Sequence, residues 1–154
     1  MKNEKGSNSM RLNLSKSREL NYLKAEIIPP SVNSYWRSAL RGGRIIHYVS
    51  KEGKAFKNAL SLIARANKFK LLKGDVILKY KLYCKKQGRK DLDNTLKAIQ
   101  DALEGIAYEN DKQIKRIEAE KISNAGWDGI EIIVKEIWYG KFIWVFKKYF
   151  WKGI

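Results

Sequence analysis

Alternating apolar and polar side chains predict several β-strands along the chain. In the clearest run, 75–84, apolar residues alternate with Lys79 and Lys81, as in a strand with one buried and one solvated face. Weaker runs of the same kind are found at residues 22–28, 114–122 and 129–137, and residues 44–48 form a further strand-like run without alternation. The first of them precedes Pro29 and Pro30, which lack backbone donors, so we expect an edge strand there.

Two other segments have the spacing of amphipathic helices. Ser50 is a candidate N-cap for a helix over 51–68, in which apolar residues recur three or four positions apart from Phe56 to Ile63. A second helix is predicted at 94–104. Strands and helices in mixed order predict an α+β fold, a mixed β-sheet with helices packed on it.

The length of the chain limits the number of domains. Its 154 residues suffice for one ordinary domain and are short for two. We expect a flexible basic arm over 1–20, a folded domain over 21–137, and an aromatic and basic extension over 138–154. Packing on the domain or a partner, stacking on DNA and contact with a membrane surface all remain open for the extension. The apolar runs of the extension are too short, and too interrupted by lysines, to span a bilayer. Residues 1–20 contain no apolar leader, so we expect a cytoplasmic location.

The charge balance points to a polyanionic partner. Lys and Arg number 32 against 16 Asp and Glu, which gives a net charge of +16. Nucleic acid is favoured over a membrane surface or an acidic protein as the partner of such a chain. Cys84 is the only cysteine, so no intrachain disulfide can form, which fits a reducing compartment.

Two segments carry side chains suited to nucleic acid. The segment 31–43 is expected to be a loop whose aromatic, amide and guanidinium groups contact phosphates and stack on unpaired bases. Its candidates are Asn33, Tyr35, Trp36, Arg37 and Arg41. The second segment supplies Lys85, Lys86, Arg89 and Lys90. A packed loop with a solvated rim is the alternative for the first segment.

Carboxylates follow directly after the second basic segment. Asp91 and Asp93 stand there, and Asp93 is also a good N-cap for the helix that Gly105 ends. Lys97 and Asp101 lie four and eight positions after Asp93, on the same helical face. A cap and a surface ladder of ion pairs explain this pattern as well as catalysis does.

A third carboxylate, Asp111, follows the helix. We expect the chain to return after Gly105 and to bring Asp111 toward Asp91 and Asp93. Converging carboxylates are hard oxygen ligands suited to Mg²⁺, which is usually held by few protein groups together with substrate phosphate. Such an ion activates water and stabilises the charge that develops on phosphorus.

These residues resemble the signature of the RusA family of Holliday junction resolvases. The resemblance covers about residues 22–137 and adds 29–37 and 50–56, which are similar to the family's opening strand, loop and first helix. Its central elements are Arg89-Lys90-Asp91-Leu92-Asp93-Asn94, Lys97-Ala98, Asp101-Ala102-Leu103 and Asn110-Asp111-Lys112-Gln113-Ile114. The resemblance implies a single RusA-like domain with nuclease activity.

The resemblance also implies roles for individual residues. Asp91, Asp93 and Asp111 would be catalytic carboxylates that bind Mg²⁺, or Mn²⁺ in its place. Lys97 would be the family's essential lysine and would stabilise the scissile phosphate or a leaving oxygen. This chain departs from the family's pattern at Asn110, a position where the family commonly has an aspartate. The Asn side chain retains an oxygen that can bind a metal but adds no negative charge.

The expected activity is the cutting of branched DNA. By resemblance, a homodimer would bind four-way junctions and cut two strands symmetrically, in DNA recombination and repair; a two-fold dimer suits a two-fold junction. One alternative is a nuclease for flaps or replication forks. The other, motivated by Asn110, is a junction-binding protein with weakened catalysis.

Overall fold

The computed structural model describes residues 20–86 and 90–139. Of the predicted basic arm only Leu20 lies in this part of the chain, and of the predicted C-terminal extension only Trp138 and Tyr139. The structure and role of these two end segments therefore stay predictions. Among the residues described, no helix is long and apolar enough to cross a membrane.

Strands and helices mix along the chain. The strands are β1 (Leu20–Ala25), β2 (Trp36–Arg41), β3 (Arg44–Val49), β4 (Val76–Cys84), β5 (Ile114–Ser123) and β6 (Gly129–Glu136). The helices are α1 (Val32–Tyr35), α2 (Lys51–Ala66) and α3 (Asp93–Leu103), and a short 3₁₀ turn covers Asp111–Gln113. The predicted strands and helices agree with these bounds to within a few residues.

The main sheet has the order β1-β6-β4-β5, in which β4 pairs parallel with β5 and antiparallel with β6. A parallel pair needs a crossover connection, and α3 is part of that connection. The edge position predicted for β1 is confirmed, because among the described strands it pairs with β6 alone. The predicted α+β fold with a mixed sheet is likewise confirmed.

The core lies between the helices and one face of the sheet. Alternate residues of β4 from Val76 to Leu82 have at most 1% of their surface exposed, as do Leu60 of α2 and Ile99 of α3. The opposite face is partly solvated and carries ion pairs such as Lys79–Glu118, of the kind that adds little stability. The predicted alternation along β4 therefore reports a real difference between its two faces.

Residues 36–49 form a β-hairpin, where a loop was expected over 31–43. Strands β2 and β3 pair in antiparallel register, joined by Gly42 and Gly43. Both glycines have positive φ, 54° and 75°, the conformation that a two-residue hairpin turn with the right twist requires. The loop prediction was wrong for β2, whose residues are nearly all exposed, so no buried face marks this strand. The strand predicted over 44–48 corresponds to β3.

Candidate active site

Helix α3 begins at Asp93, one residue earlier than predicted. The N-cap position is Leu92, and no side chain of the described residues caps the helix there. The prediction that Asp93 is the cap is therefore wrong. Asp91 accepts a long hydrogen bond of 3.3 Å from Asn94, while no hydrogen bond or ion pair of Asp93 is found in the described part of the chain. Both carboxylates are exposed at a helix N-terminus, where backbone N–H groups favour negative charge.

Thr95 fixes this end of the helix to the sheet. Its side chain is fully buried; its hydroxyl donates to the Leu92 carbonyl at 2.7 Å and lies 3.2 Å from the hydroxyl of Tyr80 on β4. Buried polar groups of this kind are stable only when paired. The sequence offered no interpretation of Thr95, and the structure identifies it as the anchor of the segment that carries Asp91 and Asp93.

Lys97 lies between two carboxylates one helical turn further along. Its ammonium is 2.9 Å from Asp101, the pairing expected at this spacing, and 3.4 Å from Asp111. The hydrogen bond to Asp101 is the main cause that raises the pKa of Lys97 above its usual value, and Asp111 adds to it against the opposing effect of burial. Both carboxylates therefore favour the charged form of the Lys97 side chain.

Asn110 organises the turn that carries Asp111. Its side-chain oxygen accepts a hydrogen bond of 3.0 Å from the backbone N–H of Lys112, and the Gln113 side chain accepts one of 3.0 Å from the backbone of Asn110. This reciprocal arrangement is a capping box. The amide of Asn110 thus has a structural role at the position where an aspartate was expected.

Gln113 ties the same turn to the body of the domain. Its side-chain oxygen also accepts from the backbone N–H of Glu109 at 2.7 Å. Its side-chain nitrogen donates to the carbonyls of Leu72 and Gly74, at 3.1 and 2.8 Å. Sequence reasoning missed this residue, although the spacing of Asn110 and Gln113 is the signature of a capping box.

The three predicted metal-binding carboxylates do not come together at one point of the described chain, because Asp111 lies apart from Asp91 and Asp93. Ile114, at the start of β5, pairs in parallel with Val76 at the start of β4, whereas Asp91 and Asp93 follow the far end of β4. Asp111 therefore meets α3 at Lys97, about one helical turn, or about 6 Å, along the axis from Asp93. Across residues 20–86 and 90–139, no group of three His, Cys, Asp or Glu side chains could hold a metal ion.

The donor chemistry nevertheless suits magnesium. Asp91 and Asp93, two residues apart in the chain, are both exposed to solvent. Mg²⁺ is commonly held by one or two carboxylates, several waters and substrate phosphate. What the structure contradicts is the gathering of all three carboxylates within the described chain, and not the type of ligand.

The predicted DNA contacts in 31–43 divide into exposed and buried residues. Trp36 is 38% exposed, and Asn33, Arg37 and Arg41 are also exposed. Tyr35 is an exception, because its side chain has no exposed surface and a buried ring cannot stack on a base. The expectation for Tyr35 is therefore wrong: it belongs to the core.

The second basic segment is only partly described. Lys85 and Lys86 are exposed at the end of β4, whereas Arg89 lies outside the described residues. The Lys90 ammonium donates to the carbonyl of Pro29 at 2.8 Å. This contact ties the basic segment to the chain that enters α1, and it commits Lys90 partly to structure.

An open cleft lies between the hairpin and the start of α2. It has a volume of about 680 Å³ and is lined by Arg37, Tyr48, Ser50, Lys51, Glu52 and Ala55. Two of these side chains are cationic, and the N-terminus of α2 adds partial positive charge. These groups can accept a phosphate, while the carboxylate of Glu52 adds one opposing negative charge to the lining.

Comparison with known proteins is decisive for the family. The chain matches the family model described as endodeoxyribonuclease RusA over residues 26–135. It belongs to the RusA family. The crossover junction endodeoxyribonuclease rusA of Enterobacteria phage HK97 is 34% identical over 96 residues, which are 58% of this chain and 72% of the phage protein.

The RusA match covers every described residue of the candidate site. It extends from before the hairpin into the last residues of β6, and so includes the start of α3, Lys97 and the Asp111 turn. The predicted family and the predicted class of enzyme, an endodeoxyribonuclease, are confirmed.

Proposed function

We propose that this RusA chain resolves four-way DNA junctions by paired hydrolysis of phosphodiester bonds, in DNA recombination and repair. The observation that carries the proposal is a pair of exposed carboxylates, Asp91 and Asp93, at the start of α3 and one turn from the charged Lys97. A relative named for crossover junction cleavage supports the choice of substrate.

Catalysis is proposed to require Mg²⁺, with Mn²⁺ as a substitute. Asp91 and Asp93 are the carboxylates best placed to hold the ion, and Asp111 is the third candidate ligand. When bound, the ion supplies an activated water and neutralises charge on the phosphate. The Lys97 ammonium, held by Asp101, is placed to stabilise an anionic phosphate oxygen in the transition state.

The DNA is proposed to run along the basic surface of the hairpin. Arg37 and Arg41 of β2 point to the same face of the hairpin, since side chains four apart in a strand share a face. The other proposed contacts are the exposed residues Asn33, Trp36, Lys85 and Lys86, together with Arg89 and Lys90. A homodimer would present two such surfaces to a two-fold junction.

The test is cleavage of a labelled four-way junction with and without Mg²⁺, beside flaps, forks and linear duplex at the same salt concentration. We expect paired, symmetric nicks in the four-way junction that depend on the metal. Equal cutting of every substrate would refute the resolvase proposal, and preferential cutting of flaps or forks would favour the other branched-DNA nuclease. Binding of the four-way junction without any cleavage would favour the alternative that Asn110 motivates, a junction-binding protein with weakened catalysis.

Arg37→Ala is expected to weaken junction binding at all sequences and to lower the salt dependence of the binding constant by about one unit of slope, as for loss of one phosphate contact. Fluorescence anisotropy over a range of salt concentrations measures both. Arg65→Ala is the matched control, because Arg65 is in the last turn of α2, about 15 Å of helix beyond the cleft residue Ala55. Equal loss of affinity in the two variants would contradict a specific contact at Arg37.

A further inference from the structure

Lys97 is shared unequally between its two carboxylate partners. Its ammonium lies 2.9 Å from Asp101 and 3.4 Å from Asp111. The side chain of Asp101 is 16% exposed, against 43% for Asp111, and attraction between charges grows stronger as water is excluded. Asp101 is therefore the stronger partner of Lys97, and Asp111 is the weaker one.

A buried phenol adjoins the stronger partner. The Tyr35 side chain has no exposed surface, and its hydroxyl is the buried side-chain polar group in the described chain that makes no hydrogen bond of ordinary geometry. Burial, and after it the negative charge of Asp101, raise the pKa of this hydroxyl, so Tyr35 and Asp101 lie close together.

From this arrangement we propose that Asp101 is a positioning residue that holds the Lys97 ammonium on α3, so that Asp111 stays available to a divalent cation. The proposal rests on the proposed function, in which Asp111 is one of the cation-binding carboxylates. Tyr35 supports the arrangement by placing a neutral, protonated group beside Asp101. Without the charge of Asp101, Lys97 has Asp111 as its remaining carboxylate partner and competes there with the cation.

The test is binding of Mn²⁺ to the full chain in the absence of DNA, measured by electron paramagnetic resonance. Asp101→Asn is expected to weaken Mn²⁺ binding about tenfold, the size of effect seen for groups that orient metal ligands. If Asp101 acts through Lys97, the double variant Asp101→Asn with Lys97→Met should bind Mn²⁺ as well as Lys97→Met alone. Asp101→Asn should also slow single-turnover cleavage while leaving the Kd for the junction unchanged.

The matched control is Asp75→Asn. Asp75 also pairs with a lysine, Lys115, at 3.7 Å, but it lies before β4 and outside the site, so its loss should leave Mn²⁺ binding unchanged. If Asp101→Asn does not fold, Lys97→Met carries the test: removal of the competing ammonium should tighten Mn²⁺ binding, and looser binding would overturn the proposal.

Other outcomes separate this inference from the proposed function. Unchanged Mn²⁺ affinity in Asp101→Asn, or an equal loss with and without Lys97, would overturn the positioning role alone. Mn²⁺ binding that is insensitive to Asp111→Asn would also overturn it, but would leave a nuclease based on Asp91 and Asp93 intact. A wild-type chain that binds no Mn²⁺ would overturn both.

Discussion

Asp93→Asn is expected to abolish junction cleavage while junction binding is retained or becomes slightly tighter. Loss of a metal-binding carboxylate removes several kcal/mol of transition-state stabilisation, so we expect the single-turnover rate to fall about 1,000-fold, at 1.36 kcal/mol for each factor of ten. Binding should not suffer, because the substitution removes a negative charge from a surface that meets phosphates.

The structure predicts that this variant folds. Asp93 is exposed and makes no hydrogen bond or ion pair in the described part of the chain. Its replacement costs the favourable interaction of a carboxylate with the first turn of α3, about 0.3–1 kcal/mol. A small decrease in the melting temperature is therefore expected beside a large loss of rate.

Three measurements on matched protein check this prediction: the single-turnover rate at saturating Mg²⁺, the Kd for the junction in Ca²⁺ or EDTA, and the melting temperature. Asp75→Asn provides the control for an isosteric loss of carboxylate charge elsewhere on the chain. Cleavage by Asp93→Asn at a rate near that of the wild type would show that Asp93 is not part of the catalytic centre.

The elements that the sequence predicted well are those with one buried face. In β4 the side chains of Leu78 and Leu82 face the core while Lys81 faces solvent. The buried face that stabilises the strand therefore appears in the sequence as an alternation of apolar and polar residues. The same holds for α2, where Phe56 and Leu60 lie on the buried side. Local periodicity therefore located most of the main sheet and its helices.

The first hairpin strand, β2, has no such signal. The exposed residues of the hairpin include Leu40, Ile45 and Tyr48, and with few buried neighbours neither face determines a pattern. The pair Gly42-Gly43 was the available sign of a hairpin turn. Tyr35 was misassigned for a related reason, since an aromatic ring next to exposed arginines can equally stack on a base or complete the core.

The predicted geometry of the acidic site was wrong for a different reason. This geometry depends on contacts between residues that are distant in the sequence. The residue types and the helix that carries them were predicted, and the Lys97–Asp101 pair followed from helical spacing. The place of Asp111 is set instead by the parallel register of β5 on β4, which one-dimensional spacing does not contain. The anchoring role of Gln113 escaped prediction because two of its partners, Leu72 and Gly74, lie about forty residues earlier in the chain.

Gln113→Ala is accordingly expected to loosen the turn that carries Asp111 and to destabilise the domain. The side chain makes four hydrogen bonds to the backbone. At about 0.5–1.5 kcal/mol for each, with some replaced by water at the exposed N–H groups, the loss should be about 2–3 kcal/mol. For a domain of this size that corresponds to a decrease of about 10 °C in melting temperature.

The same substitution should impair the site beyond its effect on folding. At a temperature where the variant is fully folded, the weakened turn no longer fixes Asp111 beside Lys97, so we expect both Mn²⁺ binding and the cleavage rate to fall. Lys112→Ala is the matched control: its side chain is exposed and its backbone N–H still donates to Asn110. If Gln113→Ala and Lys112→Ala melt at the same temperature, the four hydrogen bonds contribute nothing net to stability. If Gln113→Ala has a lower melting temperature than Lys112→Ala but matches the wild type in Mn²⁺ affinity and cleavage rate, the turn stabilises the fold without positioning Asp111 for the reaction.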